Sequence, residues 1–287
     1  NLKNKYINFL YTLANDYNGL KVVVDCANGS ASATAPTLFE KLNVNAKIIF
    51  DNPDGVNIND NCGSTHLDAL ISKVKEVQAD LGIAYDGDAD RCLLVTNDGD
   101  VIDGDYVLAI CGKYLKEKGR LNNNAIVGTV MSNLGLRKFC ESENINFVAT
   151  KVGDRYVLEE MLNKDYVIGG EQSGHVIFKE YANTGDGELT SLMVLNILSE
   201  RKCKLSELSS VMDKYPQVLV NVNVTKEGKT SFGEDVEINV LIKKYEEELN
   251  GDGRILIRAS GTENLIRVMI EGKDIDEVIA KLKGIQC

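Results

Sequence analysis

Four stretches of this sequence place polar or charged side chains at spacings that suit chemistry on an anionic ligand. The densest is YDGDADR at 85–91, where Asp86, Asp88 and Asp90 alternate after the apolar run LGIAY. In an extended segment alternate side chains share a side, so three carboxylates point one way. Like charges that close repel and call for a cation, and an all-oxygen set favours a hard ion, Mg2+ or Ca2+. An EF-hand is excluded, because Arg91 stands where that loop needs Gly and Asn97 where it needs Glu. A solvated acidic turn is the competing reading of the same residues.

The second stretch is GGEQSGH at 169–175. Its glycines let backbone approach a ligand closely. Glu171 and Ser173 stand two apart, both able to hydrogen-bond sugar hydroxyls, and His175 can move a proton near neutral pH. The third is RASGTENLIR at 258–267, where Ser260, Gly261 and Thr262 separate two apolar runs. Such a turn can nest phosphate oxygens against its N–H groups, with Arg258 and Arg267 adding bidentate contacts. In the fourth, TKVGDRYV at 150–157, Lys151 and Arg155 bracket a Gly153-Asp154 turn. It opens a helix, whose N-terminus favours anions. Each has a structural alternative: a Gly-rich turn, a tight hairpin with surface arginines, and a helix capped by Asp154.

The elements that must position these motifs follow from periodicity. A helical stripe at Tyr6, Leu10, Leu13 and Tyr17 ends at Asn18-Gly19. Strands are expected at 21–25, 46–50, 81–85 and 92–97, with a glycine-containing turn at 26–32 leading into a helix and a helix over 67–78. After Asp98-Gly99 the alternation restarts, with helices near 104–118, 134–143, 155–162 and 187–200 and strands at 125–131, 146–152 and 167–170. Such alternation argues for α/β layers with largely parallel strands. From about 214 the pattern changes to strands at 217–224, 254–260 and 265–272 with helices over 234–248 and 274–284, a small α+β unit. Three units are therefore expected, at 1–98, 99–213 and 214–287.

Composition narrows the function classes. A net charge of −11 argues against a broad basic face for nucleic acid. No apolar run is long enough to span a bilayer. The seven cysteines contain no CxxC pair and read as reduced thiols of a cytoplasmic protein, and neither histidine lies at zinc-ligand spacing from a cysteine pair. His66 carries no assigned role. The N-terminus has no signal-peptide pattern and begins directly in a helical stripe, which is read as a processed or tagged end or a cut at a domain boundary.

Taken in order, DGDADR, GEQSGH and RASGTENLIRVM resemble the metal, sugar-recognition and phosphate-binding loops of the α-D-phosphohexomutase superfamily. PDGVNINDNCGSTH (53–66), DCANGSAS (25–32) and TKVGDRYV resemble the branch that acts on glucosamine phosphates. The resemblance implies two α/β phosphohexomutase-type domains with mixed sheets, followed by a small α+β C-terminal domain that binds phosphate. It implies Mg2+ on Asp86, Asp88 and Asp90, and Arg91 steadying the transferring phosphoryl group. Lys151, Gly153, Asp154, Arg155, Glu171, Ser173 and His175 would contact a hexosamine phosphate, with Arg258, Ser260, Gly261, Thr262 and Arg267 on its phosphate. Phosphoryl transfer would run through a phosphoserine and a bisphosphorylated sugar intermediate. No Thr-Ala-Ser-His-Asn type motif occurs in these residues, so the domain with the serine is expected to be missing and the chain inactive alone. A homodimer is one option for its assembly. The rival readings are a phosphomannomutase or phosphoglucomutase, a phosphatase with Asp86 as nucleophile, and a non-catalytic sugar-phosphate binding module.

Overall fold

The computed structural model describes residues 2–17, 19–249, 251–260 and 263–274. Gly261 and Thr262 lie outside these residues, as does the helix expected over 274–284 from residue 275 on. Two compact units emerge, one of Asn1–Ser132 with Leu136–Met212, the other of Asn133–Gly135 with Asp213–Cys287.

The first unit contains two sheets. One is built from β1 (Lys21–Asp25), β2 (Asn45–Ile49), β3 (Leu81–Tyr85), β4 (Cys92–Thr96) and β5 (Val101–Ile102), in the order β2-β1-β3-β4-β5. The other is built from β6 (Ala125–Thr129), β7 (Asn146–Thr150), β8 (Ile168–Gly170) and β9 (Val176–Phe178), in the order β7-β6-β8-β9. Strands β1, β2 and β3 are parallel, as are β6, β7 and β8, whereas β4 and β9 run antiparallel to the strands before them. The sheets are thus mixed, and chain length explains it. A parallel crossover needs a dozen or more residues. Only residues 86–91 join β3 to β4, and only 171–175 join β8 to β9, so the chain must reverse. Two of the chemical motifs of this unit, the acidic loop and the Gly-rich turn, are those reversals.

Helices α1 (Leu2–Leu13), α2 (Ala35–Lys41), α3 (Asp68–Val77), α4 (Gly104–Glu117), α5 (Leu134–Ser142), α6 (Asp154–Lys164), α7 (Gly187–Arg201) and α8 (Leu205–Ser209) cover the strands. The α7 helix contacts β3 and β4 of one sheet, β9 of the other, and α4. Leu189, Leu192, Val194, Leu195, Ile197 and Leu198 are all buried on it. A helix apolar most of the way round is one enclosed on several sides, and here it joins both sheets into one core. Asp103 caps α4 and Asp186 caps α7, each accepting backbone N–H groups of the first turn.

The second unit is an antiparallel sheet of β10 (Gln217–Asn223), β11 (Gly253–Ala259) and β12 (Leu265–Gly272), in the order β10-β12-β11, with α9 (Lys226–Ser231) and α10 (Val236–Leu249). Leu249, Ile255, Ile266, Val268 and Ile270 form its core, and Val218, Val220 and Val222 of β10 pack against it at strand period two. Asn133 belongs to this unit and donates to Glu271 Oε1 at 3.0 Å and to the Tyr215 carbonyl at 3.0 Å.

Candidate active site

Strand β3 ends at the buried Tyr85, whose hydroxyl lies 2.8 Å from Ser191 Oγ on α7. The next residues turn three carboxylates together: ligand atoms of Asp86, Asp88 and Asp90 all lie within 4.8 Å of one another. Asp86 is buried and Asp88 exposed. The Arg91 amide donates to Asp86 Oδ1 at 3.2 Å, and Arg91 Nε stands 3.5 Å from Asp86 Oδ2 and 3.7 Å from Asp90 Oδ1. Asp90 Oδ1 is buried with no hydrogen-bond partner. Burial, and then the charges of Asp90 and Asp88, push the Asp86 carboxyl up to about 6 despite the Arg91 amide. One guanidinium does not balance three carboxylates. The donor set and the orphaned buried oxygen fit a hard divalent cation.

The Gly-rich turn 171–175 is fastened to this loop. Arg91 and His175 form an isolated antiparallel bridge, and the Cys92 amide donates to the Gly174 carbonyl at 3.1 Å. His175 is only 4% exposed. Its Nε2 accepts the Gly185 N–H at 3.2 Å and lies 3.6 Å from Asp90 Oδ2, so in the neutral ring the proton sits on Nδ1. Glu171 Oε1 accepts the N–H of Gly153 at 3.0 Å. Gly153 has φ +128°, a conformation that favours glycine, so this contact holds the turn entering α6. Lys151, Asp154 and Arg155 are exposed around that turn, with Arg155 Nε 2.9 Å from Glu159, and Ser173 is exposed beside Glu171. Three of the four predicted motifs are thereby joined in the first unit.

A segment that sequence reasoning passed over completes the setting. The Gly187 amide donates to the Ala89 carbonyl at 2.9 Å. A Cβ on Gly185 would lie 2.7 Å from the Asp90 carbonyl oxygen, and one on Gly187 would lie 2.5 Å from that of Arg91. Between them Asp186 caps α7 and accepts the Tyr6 hydroxyl at 2.8 Å. Glu188 follows, 2% exposed, hydrogen-bonded to the Thr34 hydroxyl through one oxygen and unpartnered at the other. Burial pushes its carboxyl up to about 8. The available signal was Gly-Asp-Gly directly before a predicted helix: a capping Asp between two residues that admit close backbone contact.

In the second unit the β11–β12 hairpin sets Arg258 directly opposite Arg267. Like charges facing across strands are destabilising. The Nε atoms of both are buried without a partner, and burial, then Arg267, holds the Arg258 guanidinium below its ordinary range. Glu263 lies 3.5 Å from Arg267. Ser260 is buried, its amide donating to the Leu265 carbonyl at 2.9 Å to close the hairpin. This under-neutralised cationic pair fits an anion.

The chain belongs to the phosphoglucomutase/phosphomannomutase family. Residues 4–99 match that family's alpha/beta/alpha domain II, residues 103–215 its alpha/beta/alpha domain III, and residues 219–283 its C-terminal domain. Among curated relatives, the phosphoglucosamine mutase of Clostridium acetobutylicum is 52% identical over 281 residues, covering 98% of this chain and 63% of the relative. That of Brevibacillus brevis is 51% identical over 282 residues, covering 98% of this chain and 62% of the relative. The chain therefore spans less than two thirds of the length of these relatives. A phosphoglucomutase/phosphomannomutase family protein of Burkholderia thailandensis shares the fold, with TM-score 0.80 at 24% identity over 100% of this chain and 65% of that one. So does the N-acetylphosphoglucosamine mutase of Aspergillus fumigatus, solved with GlcNAc-6P and magnesium, with TM-score 0.76 at 20% identity over 99% of this chain and 68% of that one.

Proposed function

We propose that this chain carries the metal, sugar and phosphate sites of an enzyme that interconverts glucosamine 6-phosphate and glucosamine 1-phosphate. The observation that carries the reading is the Arg91–His175 bridge. It fuses a cation-ready carboxylate cluster to a turn bearing Glu171 and Ser173, in a chain half identical to phosphoglucosamine mutases over nearly all its length. The reaction is phosphoryl transfer through a phosphoserine and a bisphosphorylated sugar, with the serine supplied by the whole protein. The domains are read as 1–98, 99–213 and 214–287, and the location as cytoplasmic.

Phosphoryl transfer of this kind rests on positioning and charge neutralisation. Asp86, Asp88 and Asp90 hold Mg2+, which when bound supplies positive charge to phosphate oxygens. Arg91, whose side chain is 43% exposed beside the cluster, steadies the transferring group. Ser173 and Glu171 read sugar hydroxyls, and Lys151, Gly153, Asp154 and Arg155 line the same side. Arg258, Ser260 and Arg267, together with Gly261 and Thr262, hold the phosphate that is not reacting. His175 was expected to move a proton. Its burial, the engagement of Nε2 by Gly185 and the seclusion of Nδ1 from solvent support a holding role between the two loops.

The test is a coupled assay of the full-length protein on 6-phosphates of glucosamine, glucose and mannose, primed with bisphosphorylated sugar. The expected result is the highest kcat/KM for glucosamine 6-phosphate. A preference for mannose or glucose 6-phosphate would overturn the assignment.

A further inference from the structure

Asp25 is a fully buried carboxylate at the end of β1 that none of the four motifs uses. Its Oδ1 accepts the N–H of Ala27 at 2.8 Å and its Oδ2 accepts the N–H of Gly63 at 2.9 Å. It thus ties together two segments lying far apart in sequence, the turn 26–30 and the end of the loop 53–63. The turn needs such a tie, because Ala27 and Asn28 both stand at positive φ, +54° and +47°. Left-handed backbone is unfavourable for residues with a Cβ and persists where surroundings enforce it.

Both tied segments press on the acidic loop, one on each side of Asp86. The Ser30 amide donates to the Gly87 carbonyl at 2.8 Å, and a Cβ on Gly29 would lie 2.2 Å from that oxygen. On the other side, a Cβ on Gly63 would lie 2.6 Å from the carbonyl oxygen of Tyr85. The segments also brace each other, since the Asn59 amide donates to the Ala27 carbonyl at 2.9 Å. The residues immediately before and after Asp86 are therefore seated on backbone that Asp25 fixes.

We propose that Asp25 is a positioning residue for the cation site, holding the two backbone segments that flank Asp86 so that the three carboxylates converge. The proposal rests on the metal reading given above. Asparagine at this position keeps the side-chain shape but turns one acceptor into a donor that faces a backbone N–H. One segment is then released while the fold of the sheet is kept.

The experiment titrates the full chain and its variants with Mn2+, read as free ion by electron paramagnetic resonance. Amide hydrogen exchange is measured over 28–31 and 85–92 without metal. Asp25→Asn is expected to weaken Mn2+ binding by about 10- to 100-fold, the usual effect of losing a partner that orients a metal ligand, and to speed exchange in both segments. Leu136→Ala, a cavity in α5 outside these segments, is expected to lower the melting temperature without changing Mn2+ affinity. Mn2+ affinity in Asp25→Asn equal to that of the parent overturns the proposal. If Asp25→Asn does not fold, Gly29→Ala carries the same test through its collision with Gly87. If the parent itself binds no Mn2+, the metal reading fails. Exchange then decides the positioning role alone: faster exchange over 85–92 in Asp25→Asn upholds it and unchanged exchange overturns it.

Discussion

The acidic loop 86–91 and the basic hairpin 258–267 share one format, a reversal between antiparallel strands with like charges gathered at it. They differ in how they are held. The acidic loop is gripped from outside its own hairpin by the turn 26–30, the loop ending at Gly63, the turn 171–175 and the Gly185–Gly187 step into α7. The basic hairpin is set by its own register, which alone puts Arg258 opposite Arg267. Converging carboxylates repel, and a scaffold from several segments holds them where a cation can use them. Two guanidiniums on neighbouring strands need only correct pairing to face each other. The first arrangement is sensitive to changes in several distant segments, the second to changes in the hairpin and in β10 and α9, which pair with β12 and bond the turn at Glu263 and Asn264.

The largest expected effect breaks the acidic side directly. Asp88→Asn removes one of the three clustered carboxylates and leaves the turn intact, so divalent-ion affinity should fall by at least roughly 100-fold, the upper range for losing an orienting partner. Calorimetric titration with Mg2+ reads this, and affinity unchanged from the parent would remove Asp88 from the site. The next breaks the basic side. Arg267→Ala should weaken binding of sugar phosphates to this chain by roughly 10-fold or more, since a hydrogen bond to a charged group contributes about 1.5–3 kcal/mol. Because it also relieves repulsion with Arg258, the melting temperature without ligand should not drop. A large fall in melting temperature with phosphate affinity intact would mean that Arg267 serves the fold instead.

A smaller effect sharpens the scaffold's chemistry. Glu188 has a folded-state carboxyl pushed from 4.5 to about 8 by burial. Between those values the native state holds a proton that the unfolded state has lost, so stability falls as pH rises across that window, at a slope approaching about 1.4 kcal/mol per pH unit. Glu188→Gln should flatten that slope and raise the melting temperature above pH 8 relative to the parent. Chemical denaturation between pH 5 and 9 measures it, and identical slopes would show that Glu188 is already charged in the fold. The smallest effect expected is none: Ser30→Ala keeps the backbone N–H that reaches Gly87, so Mn2+ affinity should stay at the parent value. A marked loss would assign the contact to the Ser30 hydroxyl.

How far the sequence could be read follows the same division. Period and turn chemistry place strand β3 and the carboxylates after it, the turn 171–175 after β8, and the hairpin of β11 and β12, because each is local. Strands β5 and β9 escape notice, being two and three residues long, too short for alternation to register. The alternation of helices and strands suggests largely parallel sheets, yet the short links 86–91 and 171–175 already demand reversals. What no local pattern reveals is convergence. Asp25 meeting Gly63, Glu171 taking the Gly153 amide and Gly185 donating to His175 join residues separated in sequence, and no periodicity encodes them. DCANGSAS and the loop after Pro53 were legible as a turn and a polar loop but given a role only through family resemblance, and NTGDGE at 183–188 was not read at all beyond the helix that it starts.

On the proposed function these loops serve transfer of a phosphoryl group between two positions of one sugar. Phosphorus NMR of glucosamine 6-phosphate, incubated with the full-length protein, Mg2+ and a trace of bisphosphorylated sugar, tests it most directly. A 1-phosphate resonance is expected to grow at the expense of the 6-phosphate, with total sugar phosphate constant. Growth of inorganic phosphate in its place would contradict it and make the carboxylate cluster that of a phosphatase.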